Sequence, residues 1–182
     1  DVLGTSSVIR RVVAEGKTLA EMEDPVALIG ENGTGKSFFA QCIHNGSPRA
    51  KKPYIVINAG TIAQQDAARV LFGSDDGAKP RMGLFELAGG GTIALQGLGD
   101  ASEAFFSCLR QVLLQHSYFA VGGVTTIPFS ARLLALVTPE ERRRIPRDLW
   151  DQLSVFSLNL PLLKDRQEDV STLFRFCCES PF

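Results

Sequence analysis

One short stretch, residues 30–37, limits what this chain can fold into more than any other part of its sequence. It reads Gly-Glu-Asn-Gly-Thr-Gly-Lys-Ser and matches the pattern GxxxxGK(S/T) at every defined position. The apolar run 26–29 precedes it, and a helical pattern over 38–43 follows it. A glycine-rich turn between a buried strand and a helix lets successive backbone N–H groups converge on phosphate oxygens. The sequence therefore predicts a phosphate-binding loop.

Within this loop the side chains have separate expected roles. Lys36 is expected to reach the β- and γ-phosphates of a nucleotide, and the hydroxyl of Ser37 to bind Mg²⁺. The alternative is a glycine-rich turn with a solvated lysine, but the setting between strand and helix favours a site for ATP or ADP. The expected nucleotide-binding residues are Gly30, Glu31, Asn32, Gly33, Thr34, Gly35, Lys36, Ser37 and Phe38.

Apolar runs and helical patterns alternate along the rest of the chain. Such alternation indicates an α/β protein with a mostly parallel sheet of about five strands, covered by helices on both faces. The expected strands are 26–29, 54–58, 92–95, 132–137 and 155–160, and the expected helices are 8–22, 38–43, 63–71, 102–115 and 168–177.

Length, charge and cysteine content further limit the class of protein that this chain can be. A chain of 182 residues fits one domain, and its net charge of −1, from 19 basic and 20 acidic residues, provides no field that would attract nucleic acid. No apolar run approaches a membrane span, so a cytoplasmic protein without a membrane contact is expected. The chain begins at Asp1 rather than Met and stops at Phe182, which suggests a domain excised from a longer protein. Reduced thiols are expected at Cys42, Cys108, Cys177 and Cys178.

Ten short segments together resemble the AAA+ domain of bacterial enhancer-binding proteins, the sigma-54 activators. They keep the order of that family over nearly the whole chain and are residues 30–37, 43–44, 47–49, 53–58, 71–73, 83–88, 90–92, 121–123, 148–149 and 161–170. The resemblance implies a three-layer αβα sandwich over residues 1–182, with the helical lid of the family largely absent. It also implies a ring-forming transcription regulator that contacts RNA polymerase and DNA through other domains.

The second acidic motif of the family is missing. Its strand ends in Asp-Glu, where the Asp steadies Mg²⁺ and the Glu acts on the attacking water, but this chain has Gln96 and Gly97 there. Loss of a general base typically slows a reaction by about 10²–10⁴-fold. Asp100 lies three residues further on, where it is either a substitute base or the N-cap of the following helix.

The arginine fingers of the family are also missing. The two corresponding positions hold Pro146 and Gln152, and Thr138 stands where the family has an Asn after the fourth strand. Arg147 or one of residues 142–144 is conceivable as a shifted finger, although neighbouring helical side chains point in different directions. A finger contributes about 10³–10⁵ in turnover, so very slow hydrolysis is predicted.

Residues 74–82 replace the Gly-Ala-Phe-Thr-Gly-Ala loop with which the family grips sigma-54. The Phe-Thr-Gly-Ala part is absent, and a short solvated turn is expected instead. The basic runs 49–52 and 142–144 are expected to be solvated or salt-bridged, although either could touch a phosphate or a signalling nucleotide. His44, Phe105, Phe106 and Trp150 are expected to be packing residues, and neither His44 nor His116 is expected in a metal site.

Three functions are compatible with these features. The first is a regulatory module that binds ATP or ADP, hydrolyses it little or not at all, and does not contact sigma-54. The second is a working ATPase that remodels the sigma-54 polymerase with substitute residues. The third keeps the fold and responds to a dinucleotide such as cyclic di-GMP.

Overall fold

The computed structural model describes residue 4, residues 6–75, residue 77 and residues 79–170. The strands are β1 (Val26–Ile29), β2 (Tyr54–Asn58), β3 (Gly73–Ser74), β4 (Arg81–Met82), β5 (Thr92–Gln96), β6 (Ser117–Phe119), β7 (Thr126–Pro128), β8 (Arg132–Val137) and β9 (Phe156–Asn159). The α-helices are α1 (Ser7–Ala20), α2 (Lys36–Asn45), α3 (Ala67–Phe72), α4 (Leu84–Ala88), α5 (Glu103–Gln115), α6 (Pro139–Arg144) and α7 (Arg147–Leu153). Four 3₁₀ segments, Ala59–Thr61, Gln64–Asp66, Leu98–Asp100 and Leu163–Asp169, complete the order.

Five strands form a parallel sheet in the order β2-β5-β8-β1-β9. The predicted sheet of about five strands is therefore confirmed, with β5 one residue longer than expected and β9 shorter at both ends. Two antiparallel hairpins, β3–β4 and β6–β7, were not predicted because their strands are only two or three residues long. Runs that short carry no readable alternation.

The sheet is buried on both faces by two separate apolar cores. Along β8 every residue is buried, and successive side chains point to opposite faces. Leu134 and Leu136 join a core with helices α1 and α2, whereas Leu133, Ala135 and Val137 join a core with α3, α4, α5 and α7. The αβα layering is thus the one expected of a parallel sheet whose strands read as continuous apolar runs.

Several helix boundaries differ from the sequence prediction. The α2 helix begins at Lys36 rather than Phe38 because Gly35, with a φ of 93°, is its N-cap. Of the two roles considered for Asp100, that of N-cap of α5 is wrong, because Ser102 is the N-cap. The Oγ atom of Ser102 accepts a hydrogen bond from the N–H of Phe105, at 3.3 Å.

Two further predicted helices are changed or only partly covered. The expected helix over 63–71 is a 3₁₀ turn, Gln64–Asp66, followed by the six residues of α3. Of the expected helix over 168–177, residues 168 and 169 belong to the 3₁₀ segment Leu163–Asp169, and residues 171–177 lie outside the described residues.

The thiols and aromatic side chains mostly serve packing. Cys42 and Cys108 are free, and Cys177 and Cys178 lie outside the described residues. Burial raises the pKa of Cys108 to about 11, so this thiol stays protonated at neutral pH. The predicted packing residues Phe105, Phe106 and Trp150 are buried in the core. Within the described ranges, no helix is both long and apolar enough to cross a bilayer.

Candidate functional site

A cavity of about 450 Å³ opens at one edge of the parallel sheet. The neighbouring strands β5, β8 and β1 all end beside it, at Gln96, Val137 and Ile29. Ligands of open α/β sheets bind outside the carboxyl ends of the strands, which is where this cavity lies. Its lining residues are Asn32, Gly33, Gly35, Lys36, Ser37, Phe38, Gln96, Gly97, Leu136 and Glu141.

The loop between β1 and α2 owes its shape to glycine and to one threonine. Gly33 and Gly35 have φ angles of 82° and 93°, which L-residues with side chains rarely adopt. A Cβ atom on Gly30 would lie 2.7 Å from the Oγ1 atom of Thr34, which donates a hydrogen bond to the carbonyl of Glu31 at 2.8 Å. Glu31 and Thr34 therefore shape the loop from behind rather than line the cavity.

Lys36 lies across the loop. Its Nζ atom donates hydrogen bonds to the carbonyl oxygens of Gly30, at 2.7 Å, and Glu31, at 3.0 Å. Burial lowers the pKa of Lys36, and the negative charges of Glu141 and Glu31 oppose this shift. No side chain caps the N-terminus of α2 at Gly35, so the N–H groups of its first turn are available to an anion. An ammonium group and a helix N-terminus that face one cavity fit a polyphosphate.

The end of β5 carries the two neutral residues, Gln96 and Gly97, that the sequence analysis identified as replacing the carboxylates of the family. The Nε2 atom of Gln96 donates a hydrogen bond to Ser37 Oγ at 3.2 Å. Gly97 has a φ of 63°, and a Cβ atom there would clash with the Oδ1 atom of Asn58 at the end of β2. Gln96 and Gly97 therefore do reach the cavity, but neither supplies a carboxylate.

Glu141 supplies a carboxylate that sequence reasoning missed. Its Oε2 atom accepts a hydrogen bond from the N–H of Thr138 at 2.7 Å, and its own N–H donates to Thr138 Oγ1 at 3.1 Å. This reciprocal pair is a capping box at the start of α6. The four residues 138–141 (Thr-Pro-Glu-Glu), directly after an apolar strand, fit the capping-box pattern and were the available signal.

These residues fit Mg²⁺ as well as a nucleotide, because the metal prefers oxygen ligands. The hydroxyl of Ser37, the amide oxygen of Gln96 and the carboxylate of Glu141 are the groups that would hold it. Bound Mg²⁺ would neutralise phosphate charge and polarise a phosphoryl oxygen.

A family model described as the sigma-54 interaction domain matches residues 2–159. The chain belongs to this family. The Nif-specific regulatory proteins of Rhodobacter capsulatus and Azotobacter vinelandii are 37% and 33% identical to it, over 94% and 96% of the chain. The chain spans only 31% and 35% of the lengths of these two relatives.

Solved structures of a similar protein agree with the family. NtrX from Brucella abortus in complex with ADP has a TM-score of 0.88, and the same protein in complex with ATP has a TM-score of 0.87. Both are 26% identical and cover 97% of this chain, but the match takes in only 41% and 42% of the NtrX chains. The AAA+ fold expected from the resemblance is thereby confirmed.

The other positions that depart from the sigma-54 interaction domain pattern are not among the lining residues of the cavity. Thr138 is buried and caps α6, Pro146 is the N-cap of α7, and Gln152 lies within α7. Asp100 forms a salt bridge with Arg144 at 3.0 Å and does not line the cavity, so its carboxylate is occupied elsewhere.

The basic runs hold the domain together rather than line the cavity. Arg49 donates to the carbonyl oxygens of Gly90 and Ser130, both at 2.6 Å, and pairs with Glu23. In the second run, the Arg142 guanidinium lies 5.1 Å from the centre of the Trp150 ring.

The described ends of the segment that replaces the sigma-54-gripping loop form strand pairs, whereas a short solvated turn was expected. Residues 73 and 74 pair antiparallel with residues 82 and 81, and Ser74 also bridges Val121. Asp76 and Ala78, within the segment, lie outside the described residues. A hairpin therefore stands where the family carries its longer loop.

Proposed function

We propose that this chain is the nucleotide-binding domain of a longer bacterial transcription regulator, and that it holds ATP or ADP while hydrolysing it slowly or not at all. The observation that carries this proposal is a complete phosphate loop beside a strand end that bears Gln96 and Gly97 in place of two carboxylates. Nucleotide would then set the shape of the domain and its contacts rather than drive repeated cycles.

Binding is supported by the groups that converge on the cavity. The Lys36 ammonium, the uncapped start of α2 and the Ser37 hydroxyl face one space. NtrX, a protein of the same fold, has been solved in complex with ADP and with ATP, which also supports nucleotide binding. We expect all nine residues named from the sequence, Gly30 to Phe38, to contact or shape the bound nucleotide.

Four replaced residues support slow hydrolysis. Gln96 is neutral, so it can offer Mg²⁺ only an amide oxygen in place of the carboxylate that the family has at this position. Gly97 has no side chain to activate water, which removes about 10²–10⁴ in rate. Pro146 and Gln152 stand where the family supplies arginine fingers, which are worth about 10³–10⁵ in turnover.

The setting within the cell is part of the same proposal. Residues 1–182 would be the AAA+ core of a cytoplasmic regulator that self-associates through this domain and reaches RNA polymerase and DNA through other domains. The relatives are about three times as long as the chain, which is compatible with such domains. Because the hairpin β3–β4 replaces the gripping loop, we propose no contact with sigma-54.

Lys36→Ala tests the binding half of the proposal. We expect the purified chain to bind a fluorescent ATP analogue, as followed by anisotropy, and the variant to lose at least about tenfold in affinity, because a charge-assisted contact to phosphate disappears. Lys51→Ala is the matched control, since this exposed lysine lies outside the cavity and should leave binding unchanged.

Phosphate release tests the other half. With saturating ATP and Mg²⁺, the chain should release no more phosphate than a control without protein. Turnover that rises steeply with protein concentration would instead establish a working ATPase whose fingers act between subunits. Calorimetry with cyclic di-GMP alongside ATP separates the dinucleotide alternative, because tight binding of the dinucleotide alone would refute the ATP-binding module.

A further inference from the structure

Glu141 is the one acidic side chain among the residues that line the described cavity. The described residues contain no Lys, Arg or His nitrogen within salt-bridge distance of its carboxylate. The neighbouring acidic residues differ, because Glu140 and Asp100 both pair with Arg144. A carboxylate without a salt-bridge partner therefore lines a cavity whose other groups fit a polyanion.

The fold holds this carboxylate firmly in place. One oxygen accepts from the Thr138 N–H, and Pro139 begins the helix that carries Glu141. On its other side the chain approaches closely at Gly99, where a Cβ atom would lie 2.7 Å from the Glu141 Cγ atom. Because both sides are constrained, the side chain cannot easily swing away when a phosphate enters.

The consequence is electrostatic repulsion between Glu141 and a bound triphosphate, which the Lys36 ammonium offsets in part and a bound metal ion would offset further. A triphosphate bound at the loop would extend its terminal phosphate towards Gln96, at the end of β5, and Glu141, on α6, because both residues line the same cavity. Repulsion between like charges a few ångströms apart in a half-buried site amounts to several-fold to tenfold in affinity. With Mg²⁺ present the same carboxylate becomes an attractive oxygen ligand for the metal.

We propose that Glu141 makes ATP binding by this chain depend on Mg²⁺, because it repels the metal-free triphosphate and ligates the metal of the magnesium complex. The relocated carboxylate thus takes over the metal-holding part of the strand-end Asp that Gln96 replaces, approaching from α6 instead of β5. This inference rests on the proposed nucleotide site. ADP, whose terminal phosphate lies further from Glu141, should be affected less.

Glu141→Gln is a clean probe, since Gln preserves the capping box and removes only the charge. Affinities for ADP and for a non-hydrolysable ATP analogue would be measured by calorimetry, once with MgCl₂ and once with EDTA. We expect the variant to bind the metal-free analogue on the order of tenfold more tightly and to lose most of the tightening that Mg²⁺ brings. ADP in EDTA should change by less than about threefold.

Glu140→Gln is the matched control, because this exposed neighbour on the same helix pairs with Arg144 and stays outside the cavity. It should behave as the unaltered chain in all four titrations. Glu141→Asp, which keeps the charge on a shorter side chain, should retain part of the Mg²⁺ dependence, and it tests the idea even if the Gln variant does not fold.

The outcomes separate the two proposals. If the unaltered chain binds neither nucleotide, the proposed function fails. If it binds both and Glu141→Gln shows the same Mg²⁺ enhancement as the unaltered chain, the nucleotide site stands and the role of Glu141 is refuted. An equal effect of Glu140→Gln would also refute this role, since the Mg²⁺ dependence would then come from the net negative charge of α6 rather than from the Glu141 carboxylate.

Discussion

At the scale of single residues, the backbone of Gly97 and the side chain of Asn58 leave no room for a larger residue at position 97. The Gly97 φ of 63° lies in the left-handed region, and the side chain of Asn58 occupies the space that a Cβ atom would need. Asn58 and Gln96 are register partners on β2 and β5, so the contact joins two adjacent strand ends. Restoring a Glu at position 97 therefore requires both a strained backbone and a moved Asn58.

Gly97→Ala should lower the free energy of unfolding by about 1–3 kcal/mol, because the left-handed conformation strains a residue with a Cβ atom and the new methyl group meets Asn58. Urea unfolding measures the change. In an Asn58→Ala background the same substitution should be less destabilising, since the clash has gone and only the backbone strain remains. Strict additivity in this double-mutant cycle would show that the two side chains do not interact.

At the scale of elements, helix α2 and strand β5 are joined by a buried polar contact. His44, in the last turn of α2, is 3% exposed, and its Nδ1 atom lies 2.9 Å from Thr92 Oγ1. The ring also lies 5.1 Å from that of Tyr54, on β2. Burial lowers the pKa of His44, so the folded state resists protonation of this ring.

The expected result is a loss of stability on acidification. A His whose pKa is lowered in the folded state binds protons more readily when unfolded, so the free energy of unfolding should fall as the pH drops from about 6.5 downward. His44→Asn, whose amide can replace the bond to Thr92, should show a smaller loss between pH 7 and pH 5 in urea unfolding.

His116→Asn is the control for that experiment. His116 is the C-cap of α5, with a φ of 51° that Asn tolerates. Its substitution should leave the pH dependence as in the unaltered chain. If both variants behave alike, the acid sensitivity comes from groups other than His44.

At the scale of the whole molecule, three of the five parallel strands end at the cavity, and the two apolar cores meet across those same strands. A ligand held there would contact Gln96 at the end of β5, Leu136 on β8 and the start of α2 at once. Because the unfolded chain has no such arrangement, nucleotide should stabilise the entire domain.

Differential scanning fluorimetry measures that stabilisation. At a nucleotide concentration about 100 times its dissociation constant, binding adds about 2.7 kcal/mol. For a domain of this size the Tm should rise by roughly 5–10 °C. Lys36→Ala should reduce the shift to about half or less at the same concentration, because a tenfold loss in affinity leaves only about 1.4 kcal/mol, and Lys51→Ala should retain it. A shift of full size in Lys36→Ala would place the nucleotide somewhere other than this loop.

Much of the architecture can be predicted from the sequence because it depends on residues that are neighbours along the chain. Residues 30–37 are contiguous, so their loop follows from their own glycines and from the strand and helix on either side. The apolar runs of β1, β5 and β8 were readable because strands buried on both faces lack polar positions. The short strands β6 and β7 were missed since three residues hold too little pattern.

Contacts across the ends of different strands were decided only by the tertiary structure. The sequence by itself determined the phosphate loop, the parallel sheet and the absence of carboxylates at positions 96 and 97. It did not determine that Gln96 would meet Ser37, that Asn58 would fill the space beside Gly97, or that Glu141 would enter the cavity. These contacts depend on the strand order β2-β5-β8-β1-β9, which brings segments distant in sequence together. That order results from tertiary packing, which local propensity does not encode.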